Sequence, residues 1–238
     1  MSIELVLFDL DGTLLPMDND EFTRGYFKLL VKKLAAHGYD PGKLIDSIWS
    51  GVAAMVKNDG SCRNEDAFWA RFVDIYGPGV LDDKPVFEEF YAVDFSDARV
   101  FCGFAEKAAQ AVRLARSLGL RTALATNPLF PAVATMARIG WAGLDAGDFE
   151  LITTYENSSY CKPNPDYYRD CAARLGAGCA SCLMVGNDAE EDYSASRAAG
   201  MSSFLLTDCL INRKGLDLSS VPHGDFDALM QHLKTLKK

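Results

Sequence analysis

The run Ile3-Glu4-Leu5-Val6-Leu7-Phe8 constrains this chain more than any other stretch. It is short, almost continuously apolar, and ends at Asp9-Leu10-Asp11-Gly12. Such a run reads as a strand buried on both faces, the habit of parallel sheets covered by helices on either side. Gly12 then breaks the strand. Asp9 and Asp11 therefore stand at the carboxyl end of a central strand, where open α/β sheets place their ligands. Side chains at i and i+2 of an extended segment point the same way. Two like charges held that close repel unless a cation lies between them.

Four further apolar runs read as buried strands, at residues 120–125, 149–153, 182–185 and 202–206. Helical patterns lie between them at 105–118, 129–139, 164–175 and 190–199, each stopping before a glycine. This alternation predicts βαβ units and a mostly parallel sheet. Residues 16–99 break the rhythm. They carry helical patterns at 21–37, 42–57, 64–76 and 86–91 and no convincing strand. The expected architecture is an α/β core, a three-layer Rossmann-like parallel sheet built from residues 1–15 and 100–238. A helical unit spanning 16–99 is inserted into it. Residues 225–236 read as a closing amphipathic helix.

A length of 238 residues suits such a core with a smaller second unit. The net charge of −9 argues against nucleic acid or an anionic membrane as the main partner. It leaves room for a small phosphorylated metabolite, which a few local cations can hold. No signal peptide and no membrane-spanning run is visible. Seven scattered cysteines read as reduced thiols, so the expected location is cytoplasmic. The sequence leaves the oligomeric state open.

Four sites fall just past predicted strand ends. They are Asp9 with Asp11; Thr126-Asn127; Lys162, in Cys161-Lys162-Pro163; and Asp188 with Asp192, after Gly186-Asn187. In a parallel sheet these ends share one edge. Together they supply carboxylates, a hydroxyl and an ammonium, a set suited to phosphoryl transfer. One carboxylate can attack phosphorus. A divalent cation can relieve anion–anion repulsion. Lysine balances remaining charge, and a second carboxylate can shuttle a proton. Hard oxygen donors favour Mg²⁺ over zinc.

At these residues the chain resembles the haloacid dehalogenase superfamily. Asp9-Leu10-Asp11-Gly12-Thr13, Thr126-Asn127, Lys162-Pro163 and Asp188…Asp192 are similar to its four motifs, in order, over about residues 3 to 206. The resemblance implies Mg²⁺-dependent chemistry through an aspartyl intermediate and a helical cap closing over a small substrate. It makes Asp9 the nucleophile, Asp11 the general acid/base, and Thr126, Asn127 and Lys162 the phosphoryl-binding groups. The metal ligands it implies are Asp9, the backbone carbonyl of Asp11, and Asp188. Asn187 and Asp192 are further candidates, because the fourth motif commonly reads Gly-Asp and here reads Gly186-Asn187-Asp188. An acid at position 11 suits an alcohol leaving group and so favours a phosphatase over a dehalogenase. A phosphomutase with the same intermediate is the near alternative. A receiver-like phospho-acceptor module is the alternative of a different class.

Taken singly, most of these residues have plainer readings. Thr126-Asn127-Pro128 alone is a helix cap before proline. Lys162 alone is a solvated lysine. Glu190 and Glu191 read as acids favouring a helix N-terminus. His37, His223 and His232 read as solvated, and Cys179-Ala180-Ser181-Cys182 as a loop leading into a strand.

Overall fold

The computed structural model describes residues 2–236. Met1, Lys237 and Lys238, at the outer limits of the expected core ranges, lie outside the described residues. Five strands form one parallel sheet: β1 (Leu5–Phe8), β2 (Arg121–Leu124), β3 (Cys182–Gly186), β4 (Ser202–Leu206) and the two-residue β5 (His223–Gly224). Their order is β2-β1-β3-β4-β5. The helices are α1 (Asn19–Ala35), α2 (Pro41–Val56), α3 (Asn64–Tyr76), α4 (Lys84–Ala92), α5 (Glu106–Ser117), α6 (Ala132–Trp141), α7 (Pro165–Arg174), α8 (Ala195–Ala199) and α9 (Phe226–Thr235).

Side-chain alternation along β1 and β3 builds the layers. Leu5, Leu7, Cys182 and Met184 pack against Tyr167, Tyr168 and Cys171 of α7 and Ala195 and Ala199 of α8. Val6, Phe8, Leu183 and Val185 face the other way, into the cluster holding Ala108 and Val112 of α5 and Leu229 of α9. Both faces of the sheet are thus dry, as the apolar run at 3–8 requires. The pairing Phe8↔Leu124 and Phe8↔Val185 brings Asp9 level with Ala125 and Gly186. That register gathers the strand ends at one edge.

Between β1 and α5 the chain is helical throughout, α1 to α4 with 3-10 segments at Pro78–Asp83 and Asp94–Phe101. Asp18 and Asp40 cap α1 and α2 by accepting from Glu21 N and Lys43 N. The chain leaves and re-enters side by side, through the antiparallel bridge Met17↔Cys102 and the hydrogen bond Gly103 N to Pro16 O at 2.7 Å. Aromatic rings fill this unit. Tyr26 lies 5.1 Å from Phe27, 5.9 Å from Phe95 and 5.4 Å from Phe130, which belongs to the α/β part. Phe95 stacks on Trp141 of α6 at 5.3 Å. No helix among the described residues is long and apolar enough to cross a membrane.

Several expectations need correction. Residues 149–153 form no strand. They run beside β2 through the single bridge Leu124↔Ile152 before the backbone turns away at Thr154. Three backbone hydrogen bonds tie the segment to β2 (Glu150 N to Thr122 O, Leu124 N to Leu151 O and Thr153 N to Leu124 O), and the pairing is too brief for a regular strand. β5 was not foreseen, because two residues at a sheet edge carry no apolar signal. Helix α6 continues through Gly140 to Trp141 and stops at Gly143, whose φ of 71° takes the left-handed turn. Glycine weakens a helix interior without breaking it. Residues 190–199 begin as a π-helix, Ala189–Ser194, ahead of α8. His232 is not solvated; it is half-buried against Phe204 at 5.2 Å, and burial lowers its pKa.

Gly25 of α1 is packed so tightly on Phe101 that a Cβ would lie 2.2 Å from the ring. Gly25→Ala is expected to lower stability by about 1–3 kcal/mol in urea denaturation, as overpacking does. A Cβ at Gly140 meets nothing within 4 Å. Gly140→Ala is expected to gain about 0.5–1 kcal/mol in the same assay.

Candidate active site

At the shared strand edge a buried lysine sits between two buried aspartates. Lys162 Nζ donates to Asp9 Oδ1 at 2.8 Å and to Asp192 Oδ1 at 2.7 Å. Lys162 is 1% exposed, Asp9 6% and Asp192 2%. Burial works against the ammonium, but Asp192 and Asp9 outweigh it and hold the lysine protonated, its pKa raised. Asp9 is pushed up to about 7. Burial is the largest cause, Lys162 opposes it, and Asp192 adds to it. The nucleophile candidate is therefore short of positive charge.

Thr13 Oγ1 lies 2.9 Å from Asp9 Oδ2 and 3.0 Å from Asn187 Oδ1. One hydroxyl thus brings an oxygen of the first segment toward an oxygen of the fourth. Gly12, with φ of 82°, makes this approach possible: a Cβ there would lie 2.4 Å from Asn187 Nδ2.

Asp11 is held by a residue that the sequence reading missed. Its Oδ2 accepts from Arg138 Nη1, and Arg138 is fully buried. Arg138 also donates from Nε to Ala134 O, and its guanidinium lies 4.3 Å from the Phe130 ring centre. Asp11 Oδ1 is buried and has no hydrogen-bond partner. One carboxylate oxygen is fixed and the other is free. No local signal distinguishes Arg138 from a surface arginine on an amphipathic helix; only its burial among Ala134, Thr135 and Ile139 on α6 does so.

The remaining candidates lie in the loops after β2 and β3 and before α7. Thr126 is buried, and its carbonyl accepts from Thr153 Oγ1 and Tyr167 Oη, which fixes the backbone. Asn127 joins two loops: its Oδ1 accepts from Lys162 N, and its Nδ2 donates to Glu191 Oε2 at 3.1 Å. Glu191, read from sequence as an acid favouring a helix N-terminus, is partly buried here. Burial raises its pKa, against the pull of Lys162. Asp192 Oδ2 accepts from the N–H groups of Asn187 and Asp188, so this carboxylate is fully engaged in shaping the loop. Asp188 caps the π-helix, its Oδ1 accepting from Glu190 N and Glu191 N. A π-turn adds one residue per turn and recurs at functional sites. Here it coincides with Gly186-Asn187-Asp188, where the motif departs from the commoner Gly-Asp.

Five carboxylates (Asp9, Asp11, Asp188, Glu191 and Asp192) meet two cations, Lys162 and Arg138, in this network. Among the described residues no three His, Cys, Asp or Glu side chains already converge as a metal cluster. The donor set still fits a hard divalent cation. It offers excess negative charge, oxygen ligands only, a raised Asp9, and the amide oxygen of Asn187 drawn toward Asp9.

The helical unit reaches this edge through Asn64, at the start of α3. Asn64 is fully buried, and its Nδ2 donates to Pro128 O at 3.3 Å, Tyr160 O at 3.3 Å and Cys161 Sγ at 3.2 Å. Those acceptors flank Thr126-Asn127 and Lys162.

A family model for haloacid dehalogenase-like hydrolases matches residues 3–200. Hexitol phosphatase B of Escherichia coli K12 is 35% identical over 101 residues, 41% of this chain and 42% of that protein. The aligned part thus spans less than half of that relative's length. Among solved structures, 2-haloacid dehalogenase from Pseudomonas syringae pv. Tomato DC3000 superposes with a TM-score of 0.63 at 19% identity, covering 98% of both chains. CbbY from Rhodobacter sphaeroides, in complex with phosphate, gives 0.60 at 19%, covering 94% of this chain and 95% of the other. At such identities these two structures speak for the fold alone.

An acid whose folded pKa is raised stabilises below its unfolded value and loses that contribution as pH rises through the folded one. For Asp9 the window runs from about pH 4 to about pH 7. In EDTA, wild type is expected to melt progressively lower across this window. Asp9→Asn is expected to melt several degrees above wild type at pH 8, with the gap closing toward pH 4. Calorimetry across the pH series checks both.

Proposed function

The chain belongs to the haloacid dehalogenase-like hydrolases, and on that premise we propose that it is a Mg²⁺-dependent phosphatase of a small phosphorylated metabolite. The observation that carries this reading is the buried contact of Lys162 with both Asp9 and Asp192, at the edge where Thr126 and Asn127 also lie. The relative named for hexitol phosphate chemistry and the fold neighbour holding phosphate support it. Family membership sets aside the receiver-like alternative.

In this reading Asp9, the backbone carbonyl of Asp11 and Asp188 would hold the ion, with the Asn187 amide oxygen as a further ligand. When bound it supplies the positive charge that a buried anionic nucleophile and an anionic substrate both lack. Asp9 attacks phosphorus, the bond to the leaving oxygen breaks, and an aspartyl-phosphate forms. Thr126 and Asn127 hold phosphoryl oxygens, and Lys162 balances their charge. Asp11 gives a proton to the leaving oxygen and then takes one from the water that frees Asp9. The pairing with Arg138 suits that task, because it fixes Oδ2 and leaves Oδ1 available. Residues 16–99 act as the cap and residues 1–15 and 100–238 as the catalytic core. The acidic surface and free thiols suit a cytoplasmic enzyme that does not bind nucleic acid.

A panel of phosphate esters, with and without EDTA, tests the reading. Phosphate release is expected with Mg²⁺, and only background after chelation or in Asp9→Asn. Undiminished turnover in either case rejects it. Asp11→Asn is expected to lose about 10²–10⁴-fold with an alkyl phosphate. Its kcat/KM should fall much less with acetyl phosphate, whose leaving group needs no proton, because that ratio ends where the leaving group departs. Steady-state kinetics with the two substrates reads the difference.

A further inference from the structure

A cavity of about 600 Å³ lies between helices α1 to α4 and the loop that leads into α6. Its walls are mainly aromatic and aliphatic, including Phe27, Phe68, Trp69, Phe87 and Phe130. The charged groups lining it are Glu65, Glu88 and Glu156 against Lys84. Lys84 is already committed, 3.4 Å from Glu65 and 5.0 Å from the Trp69 ring centre. An anion would find no free cation there. A polyol would find few partners for its hydroxyls.

One polar group in this wall is unspent. Trp69 is 6% exposed, and its Nε1–H is buried without a hydrogen-bond partner. Its neighbour in the same wall is the Tyr155 hydroxyl. Buried donors are nearly always satisfied, so an orphan in a cavity wall points to an acceptor that arrives from outside. An apolar space with a single unspent polar group in its wall is also the usual form of a small-molecule site.

The cavity adjoins the catalytic edge through the chain itself. Leu129 lines it and lies two residues beyond Asn127, a reach of at most about 7 Å. Phe130 forms part of the wall and carries the Arg138 guanidinium that holds Asp11.

We infer that this cavity receives the non-phosphoryl part of the substrate, a flat apolar or aromatic group bearing one acceptor for the Trp69 indole. The inference rests on the phosphatase reading and narrows its substrate class away from polyol phosphates.

Three esters test it: 4-methylumbelliferyl phosphate (aromatic, with a carbonyl acceptor), 2-naphthyl phosphate (aromatic, without one) and a hexitol 6-phosphate. Acetyl phosphate serves as the minimal substrate. The readout is each ester's dissociation constant on the Asp9→Asn background, because a better leaving group raises kcat and lowers KM of a two-step reaction whatever the pocket. The dissociation constant of the umbelliferyl ester is expected about tenfold below that of the hexitol ester. Trp69→Phe should raise it about fivefold, the worth of one hydrogen bond, and leave the naphthyl ester unchanged. Val52→Phe fills the cavity, and Ala92→Phe narrows its exposed rim should the first variant fold poorly. Each should raise the dissociation constants of both aryl esters and spare the KM of acetyl phosphate. Equal dissociation constants for aryl and hexitol esters, or an equal KM shift for acetyl phosphate in the cavity variants, overturns the inference. So does free 4-methylumbelliferone that alters acetyl phosphate turnover without competing with the aryl ester, since the cavity would then serve a separate ligand. If acetyl phosphate itself is not hydrolysed, the phosphatase reading fails and the leaving-group assignment falls with it.

Discussion

The arrangement depends on one buried ammonium. Lys162 is taken out of water between Asp9 and Asp192, and only their joint charge keeps it protonated there. Desolvating three charges is expensive, and attraction repays it only when geometry is good and the remaining lone pairs are satisfied. The loops supply that geometry. Thr13 meets the other oxygen of Asp9, and the backbone N–H groups of Asn187 and Asp188 meet the other oxygen of Asp192. The lysine therefore fixes the relative positions of the first, third and fourth segments. Even so the balance is incomplete, since Asp9 is pushed upward while paired. The site is stable enough to form and electrostatically unfinished, which is the condition for a cation or a transferable group to matter.

Much of this was legible in the chain. Strands sandwiched on both faces leave continuous apolar runs, so β1, β3 and β4 could be read directly. Polar groups gathered at strand ends leave short mixed motifs, so the meeting of Asp9, Thr126 and Lys162 could be read from their company. Arg138 could not. It is coded by burial on α6, and burial of an arginine depends on what surrounds it in space. Glu191 was hidden for the same reason: an acid at a helix start reads as no more than that until Asn127 and Lys162 close over it. The run at 149–153 failed in the opposite sense. Its composition is that of a strand and it does bond to β2, but the turn at Thr154 cuts the ladder short.

The helical unit is not loosely appended. Asn64 inserts a buried amide between the loops carrying Thr126 and Lys162, and Phe130 joins the aromatic packing of the helices to the cation that holds Asp11. Separation of the two parts would expose that amide and those rings at once. The polar contacts specify alignment, and the aromatic surface supplies most of the adhesion.

The central place of β1 in the sheet has a consequence for how the chain reaches this structure. Leu5 finds its neighbours at Arg121 and Cys182, so this fully buried strand waits for partners made far later in synthesis. At about 5–20 residues per second the delay is on the order of ten seconds or more. Helices α1 to α4 rely more on local contacts and can gain order first. During that interval the segment at residues 3–8 is an unpaired, apolar, sheet-forming sequence, the kind most prone to wrong association. The same dryness that places Asp9 so firmly in the finished molecule makes its strand the most vulnerable part of the nascent one.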